Sequence, residues 1–192
     1  MFSGACNVMG GSLVLNHMSR HYASMRDALS TQYIGTYFPL DALIMESNSR
    51  NFAERVSTAS SNTERVVGLL RQHAAVREVF YPKGDLTQAL YDSFRRPEGK
   101  YGFLLSVTFV SPECAIAFHD ALDVAKGPSL GTNFTLACAY TLLAHYSELE
   151  WAARFGVVEH LVRISVGVES AEWLVEVVRH ALAMAERRLL RV

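Results

Sequence analysis

Arg163 stands in the run LVRISVGV (161–168), where Val162, Ile164 and Val166 alternate with Arg163 and Ser165. If the apolar face of such a strand packs on a core, the arginine points the other way, toward solvent or a cleft. A planar guanidinium there can hold both oxygens of a carboxylate, although a surface salt bridge is the plainer reading of the residues alone. Ser129 comes shortly before Gly131 and by itself reads as a turn residue. Lys83, Lys100 and Lys126 each lie beside a glycine, in expected loops, and read as surface amines. His145 sits in the apolar stretch YTLLAHY and reads as a core histidine with its hydrogen bonds satisfied rather than as a base. Tyr140 and Tyr146 in that stretch read as packing residues.

Metal chemistry finds little to work with. His17 and His21 are four apart and can share a helix face, but no further ligand stands at suitable spacing. Cys6, Cys114 and Cys138 are odd in number, far apart and without a CxxC pair, so they read as buried free thiols, neither bridged nor zinc-bound. With 18 Lys and Arg against 19 Asp and Glu, the formal net charge is -1, and no basic stripe marks a nucleic-acid partner. No apolar run reaches the roughly 20 residues of a spanning helix, and the opening MFSGACNVMGG lacks the charged start and apolar core of a signal peptide. No membrane partner and a cytoplasmic location are therefore expected.

The 192 residues are 50% hydrophobic and 19% charged, enough for a substantial core. One domain is expected, with a short piece of another. The small-residue opening leads into SLVLN (12–16), which reads as a strand, and helical spacing begins at Asp41. Phe52, Val56, Ala59, Val66, Val67 and Leu70 mark one face of a long helix, weakened by STASSNT at 57–63. REVFYP predicts a strand, followed by a polar loop from Lys83 to Lys100. GFLLSVTFV (102–110) predicts another, with Phe103, Leu105, Val107 and Phe109 on one face. Ser111, Pro112 and Glu113 start a helix that Gly127 and Pro128 stop. From Ala171 to about Leu189 a closing helix carries Trp173, Leu174, Val177, Val178 and Leu182 on one stripe, with Arg187 and Arg188 near its negative end. The class is α+β: a small antiparallel or mixed sheet covered on one face.

Several motifs together resemble a family. FSGACNVMGGSLVLN (2–16) is similar to the second half of the motif SxTKYxxGHSDVxxG of pyridoxal-phosphate (PLP) enzymes of cysteine and methionine metabolism, with Ala5, Cys6 and Asn7 where His, Ser and Asp are usual. GTYFPLDALIMESNSRNFAERV (35–56), GPSLGTNFTL (127–136), YTLLAHY (140–146) and LVRISVGVE (161–169) follow in the family's order, and the resemblance runs from Phe2 to about Arg179. The wording ESNSRNF and SLGTNFTL looks like the fungal branch of cystathionine γ-synthases.

This resemblance implies a fold-type I PLP-dependent transferase, with a large cofactor-binding domain followed by a small C-terminal domain. Residues 1–40 then correspond to a remnant of the large domain, and 41–192 to a linking helix and the small domain. It implies γ-replacement on an activated homoserine with cysteine, in dimers paired into tetramers or with a partner chain supplying the large domain. Arg163 matches the arginine that binds the substrate α-carboxylate, and Ser129 a serine lining the site. The Schiff-base lysine would fall immediately before Met1, and the family's phosphate donors and pyridinium partner upstream of Phe2. Two readings follow: part of a PLP enzyme with no autonomous catalysis, or a non-catalytic module that docks on a full-length relative.

Overall fold

The computed structural model describes residues 1–190. Along the chain come α1 (Tyr22–Gln32), α2 (Pro39–Ser49), α3 (Phe52–Arg71), β1 (Val76–Phe80), α4 (Gln88–Phe94), β2 (Leu104–Phe109), α5 (Pro112–Ala121) and β3 (Ala125–Lys126). Then follow β4 (Leu136–Ala139), α6 (Tyr140–His145), a 3-10 turn (Tyr146–Glu148), α7 (Leu149–Ala153), β5 (Val162–Ser165) and α8 (Ala171–Leu189). The strands form one mixed sheet in the order β1-β2-β5-β4-β3, antiparallel except for the β3–β4 pair.

The alternation in β2 and β5 decides which face is buried. Leu105 pairs with Ile164 and Val107 with Val162, and Ala137 of β4 pairs with Ile164, so their side chains share one face. Helices α3, α5 and α8 cover it, with Leu70, Phe118, Leu174, Val178 and Leu182 filling the space between layers. The rings of Phe109 and Phe118 meet at 4.8 Å. Two helices start as their sequences require. Ser111 Oγ accepts from the Cys114 amide at 3.3 Å and Ser170 Oγ from the Trp173 amide at 3.3 Å, with Pro112 in the first turn of α5. The buried line of α8 is Leu174, Val178, Ala181, Leu182 and Ala185, whereas Trp173, placed on that stripe by spacing, lies outside it and is exposed.

Several expected elements differ. Residues 12–16 form no strand and pair with nothing, leaving Leu13 and Val14 exposed, because β propensity alone does not make a strand without a partner edge. The helix expected from Asp41 is two helices: α2 starts at Pro39 and ends at Ser49, and α3 starts after Asn51, whose side chain caps no amide because its Oδ1 accepts from Arg55 Nε at 2.8 Å. Helix α5 stops at Ala121, not at Gly127. Leu122 turns to an extended conformation and is buried, and the Lys126 amine satisfies the His119 and Leu122 carbonyls left open at the helix end. The expected polar loop from Lys83 to Lys100 contains α4, held by the Tyr91 ring stacked on Tyr101 at 5.5 Å and by Arg95 over the same ring at 4.9 Å.

Within α3, the Ser60 hydroxyl is buried and has no hydrogen-bond partner among the described residues. Ser60→Ala removes a desolvated polar group at almost constant volume and is expected to raise unfolding stability by about 1 kcal/mol. Urea denaturation checks this; a loss of stability would mean that the hydroxyl is paired.

Candidate functional site

Because Ile164 and Val162 face the helices, Arg163 stands on the opposite face of the sheet, opposite Ser106 of β2 on one side and Cys138 of β4 on the other. Its guanidinium lies over the Tyr140 ring, 4.6 Å from Cζ to the ring centre, and Nη2 donates to the Pro128 carbonyl. Among the described residues its other guanidinium nitrogens meet no carboxylate and no further carbonyl oxygen, only the weakly accepting Cys138 thiol, so part of the planar fork is open to a ligand. The neighbouring Cys138 thiol is buried, and that burial pushes its pKa up against the opposing pull of Arg163. Such a group is a neutral thiol at pH 7 and leaves the positive charge of Arg163 uncompensated.

Ser129 follows Pro128 directly and is exposed, so the β3–β4 loop brings Ser129 into the neighbourhood of Arg163. The loop is pinned to β5, since the Gly131 amide donates to Ser165 Oγ at 2.8 Å. Gly131 has φ +74, and a side chain there would collide with the Met1 backbone nitrogen, so the N-terminal segment lies against this same loop. The Met1 amino group has its pKa lowered by burial and by the nearby Arg55 charge.

Two clamps hold the loop. On one side, Thr135 Oγ1 donates to Glu169 Oε2 at 2.9 Å and accepts from the Gly167 amide at 3.0 Å, while the Val168 amide donates to the Asn133 carbonyl at 2.9 Å. Asn62 of α3 donates to the carbonyls of Gly167 at 3.2 Å and Glu169 at 2.9 Å. On the other side Arg55, a residue only 6% exposed, donates through its guanidinium to Met1 O and Phe2 O at 2.7 Å, Asn48 O at 2.8 Å and Asn133 Oδ1 at 2.9 Å, with Nε on Asn51 Oδ1 at 2.8 Å. Burial lowers its pKa from the usual value, yet an arginine stays charged at neutral pH. Sequence reasoning passed over Arg55 because a charge was not sought on an apolar stripe. The signal was its spacing, for Arg55, Ala59, Thr63, Val66 and Leu70 are buried on one line of α3.

The other candidates lie elsewhere or differ from expectation. Lys83 pairs with Glu64, Lys100 donates to the Ser57 carbonyl at 3.1 Å and to Ser61 Oγ, and Lys126 caps α5 on the helix-covered side. His145 is no core histidine. It is partly exposed, with Nδ1 2.6 Å from Glu148 Oε1 and its ring edge-on to Tyr140 at 5.6 Å, because α6 packs only its first turn, through Thr141, on the domain. Tyr146, expected to pack, is exposed, and Cys6 is an exposed thiol at φ 60, unlike the buried Cys114 and Cys138. Among the described residues no three His, Cys, Asp or Glu side chains are grouped to hold a metal ion, and no helix is long and apolar enough to cross a membrane.

A model of the Cys/Met metabolism PLP-dependent enzyme family matches residues 2–183, and the chain belongs to that family. Among relatives, it is 45% identical over 188 residues to cystathionine gamma-synthase of Neurospora crassa, covering 98% of this chain and 30% of that protein. It is 50% identical over 188 residues to the cystathionine gamma-synthase-like protein ankD of Aspergillus thermomutatus, covering 98% of this chain and 33% of that one. Among solved structures, cystathionine gamma synthase from Xanthomonas oryzae in complex with cystathionine superposes with a TM-score of 0.70 at 28% identity, over 78% of this chain and 39% of that one. The cystathione gamma lyase CalE6 from Micromonospora echinospora superposes at 0.76 and 26% identity, over 95% of this chain and 48% of that one. The chain thus spans about a third of the length of the curated relatives it matches.

The family's cofactor is PLP, which in such enzymes is held through a lysine amine. Lys83, Lys100 and Lys126 are each engaged with other partners away from Arg163 and Ser129, so residues 1–192 do not fit covalent attachment of the cofactor at this face.

Proposed function

We propose that this chain is part of a cystathionine gamma-synthase-like, PLP-dependent enzyme of γ-replacement, and that it supplies the substrate-carboxylate side of the site. Residues 41–192 serve as the linking helices and C-terminal small domain of a fold-type I transferase, and 1–40 as a piece of the large domain. The exposed apolar side chains of Leu13, Val14, Met18, Ile34, Phe38 and Leu43 support this division, since they await a surface that the small domain does not provide. The lysine, the phosphate donors and the partner of the pyridinium nitrogen come from sequence outside residues 1–192, either in the same polypeptide, which then works as a homo-oligomer, or in a different partner chain that supplies the large domain. A cytoplasmic setting fits a small amino-acid substrate.

One observation carries the reading. Arg163 presents open guanidinium donors beside the Ser129 loop, on the sheet face that the helices leave uncovered. In that role Arg163 binds and orients the α-carboxylate, while Ser129 lines the adjoining wall. Titration of the isotope-labelled chain with L-cystathionine is expected to shift the signals of Arg163 and of residues 127–131, and Arg163→Ala is expected to abolish these shifts. Shifts that survive Arg163→Ala unchanged would overturn the assignment. A folded chain without Arg163-dependent binding would favour the second reading, a non-catalytic module that docks on a full-length relative.

A further inference from the structure

Tyr140 is the first residue of α6, and its backbone amide donates to the Leu161 carbonyl at 2.9 Å, just before Arg163 on the neighbouring strand. Thr141, fully buried, donates to the Val158 carbonyl at 2.8 Å and fixes the start of the helix. The Tyr140 ring is braced a second time by the His145 imidazole, edge-on at 5.6 Å and 70°, with His145 held by Glu148 at 2.6 Å. A ring so placed has little freedom to follow the guanidinium; the guanidinium must follow the ring.

We infer that Tyr140 is a positioning residue for Arg163, holding the guanidinium by its aromatic face so that the open donors stand ready for a carboxylate. This rests on the reading of Arg163 as the carboxylate-binding group. The Pro128 carbonyl alone is a single contact about which the fork can swing. The negative face of the ring adds a second, non-directional restraint at 4.6 Å, well inside the range of a cation–π contact. A long arginine side chain otherwise loses much rotamer freedom when it closes on a ligand, and an arginine ordered beforehand binds more tightly for that reason. The hydroxyl plays no part in this argument, so phenylalanine serves as well as tyrosine.

The test uses the full chain and L-cystathionine as the probe, with affinity read by NMR titration. Tyr140→Phe is expected to bind as the parent does, and Tyr140→Leu about 3- to 30-fold more weakly. A pentafluorinated phenylalanine at position 140 keeps the ring's shape, reverses the sign of its face, and is expected to weaken binding as leucine does; it also covers the case in which Tyr140→Leu does not fold. Without ligand, the ring-shifted Arg163 Nε–H signal is expected to move to the position of a free arginine in Tyr140→Leu and to stay in Tyr140→Phe. Unchanged affinity in the leucine and fluorinated variants, or an Arg163 signal indifferent to residue 140, overturns the inference. Should no form bind the probe through Arg163, the carboxylate reading fails, and the ligand-free signal still decides the role of Tyr140.

Discussion

Gly167→Ala is expected to cost about 3 kcal/mol of stability, near the upper end of what a single added methyl does in a packed interior. A Cβ at position 167 would lie 2.6 Å from the Asn133 carbonyl oxygen, from Glu169 Oε2 and from the Phe134 carbonyl carbon. Two of the three are backbone atoms of the loop that carries Ser129, so relief requires the loop itself to move rather than a side chain to rotate. That movement breaks the Val168–Asn133 and Gly167–Thr135 hydrogen bonds and loosens the Asn62 contacts to the same turn. Urea denaturation checks the value, with an unchanged dependence on urea showing that the unfolding transition is still the same one. A loss under about 1 kcal/mol would mean that the turn yields easily and does not hold the loop.

Arg55→Met is expected to cost a similar amount, about 3 kcal/mol, but with a local signature. The methionine retains most of the apolar stem and removes every donor, leaving the carbonyls of Met1, Phe2 and Asn48 and the amide oxygens of Asn51 and Asn133 without the group that joins them. Desolvating a guanidinium is itself costly, which keeps the net figure well below the sum of five charged hydrogen bonds. Hydrogen exchange should show the difference. Amides of the first few residues and of the 131–135 loop lose protection, while those of β2 and β5 keep theirs. Equal loss across the sheet would mean that Arg55 supports the whole domain and not this junction.

The parts of the fold legible in the sequence were those with a period and a packed partner. β2, β5 and α8 lie where alternation or helical spacing put them, because Val107, Ile164 and Leu174 each have an opposite layer to bury against. SLVLN has the composition of a strand and no neighbour to pair with, so composition misleads there. The end of α5 is marked by no glycine or proline. Leu122 leaves the helix because the core takes it, and Lys126 supplies the cap from four residues onward, neither of which local sequence displays. Within the site, the face of Arg163 follows from alternation alone. Its aromatic neighbour does not, because Tyr140 reaches Arg163 only through the β4–β5 register, and an apolar context made it look like packing. Arg55 was hidden for the same reason, since its partners come from both ends of the chain segment before it and from a loop 78 positions later.

The two outer strands of the sheet bear on how the molecule can associate. β1 is interrupted by an irregularity between Val76 and Glu78 and carries Arg77 and Glu78, while β3 is two residues long, with its lysine turned onto the end of α5. Short, charged and irregular borders are poor templates for a further strand. Growth of the sheet from one molecule into the next is therefore blocked at both sides. Contacts between molecules then fall to side-chain surfaces, and the sheet itself offers no ready seed for cross-β stacking.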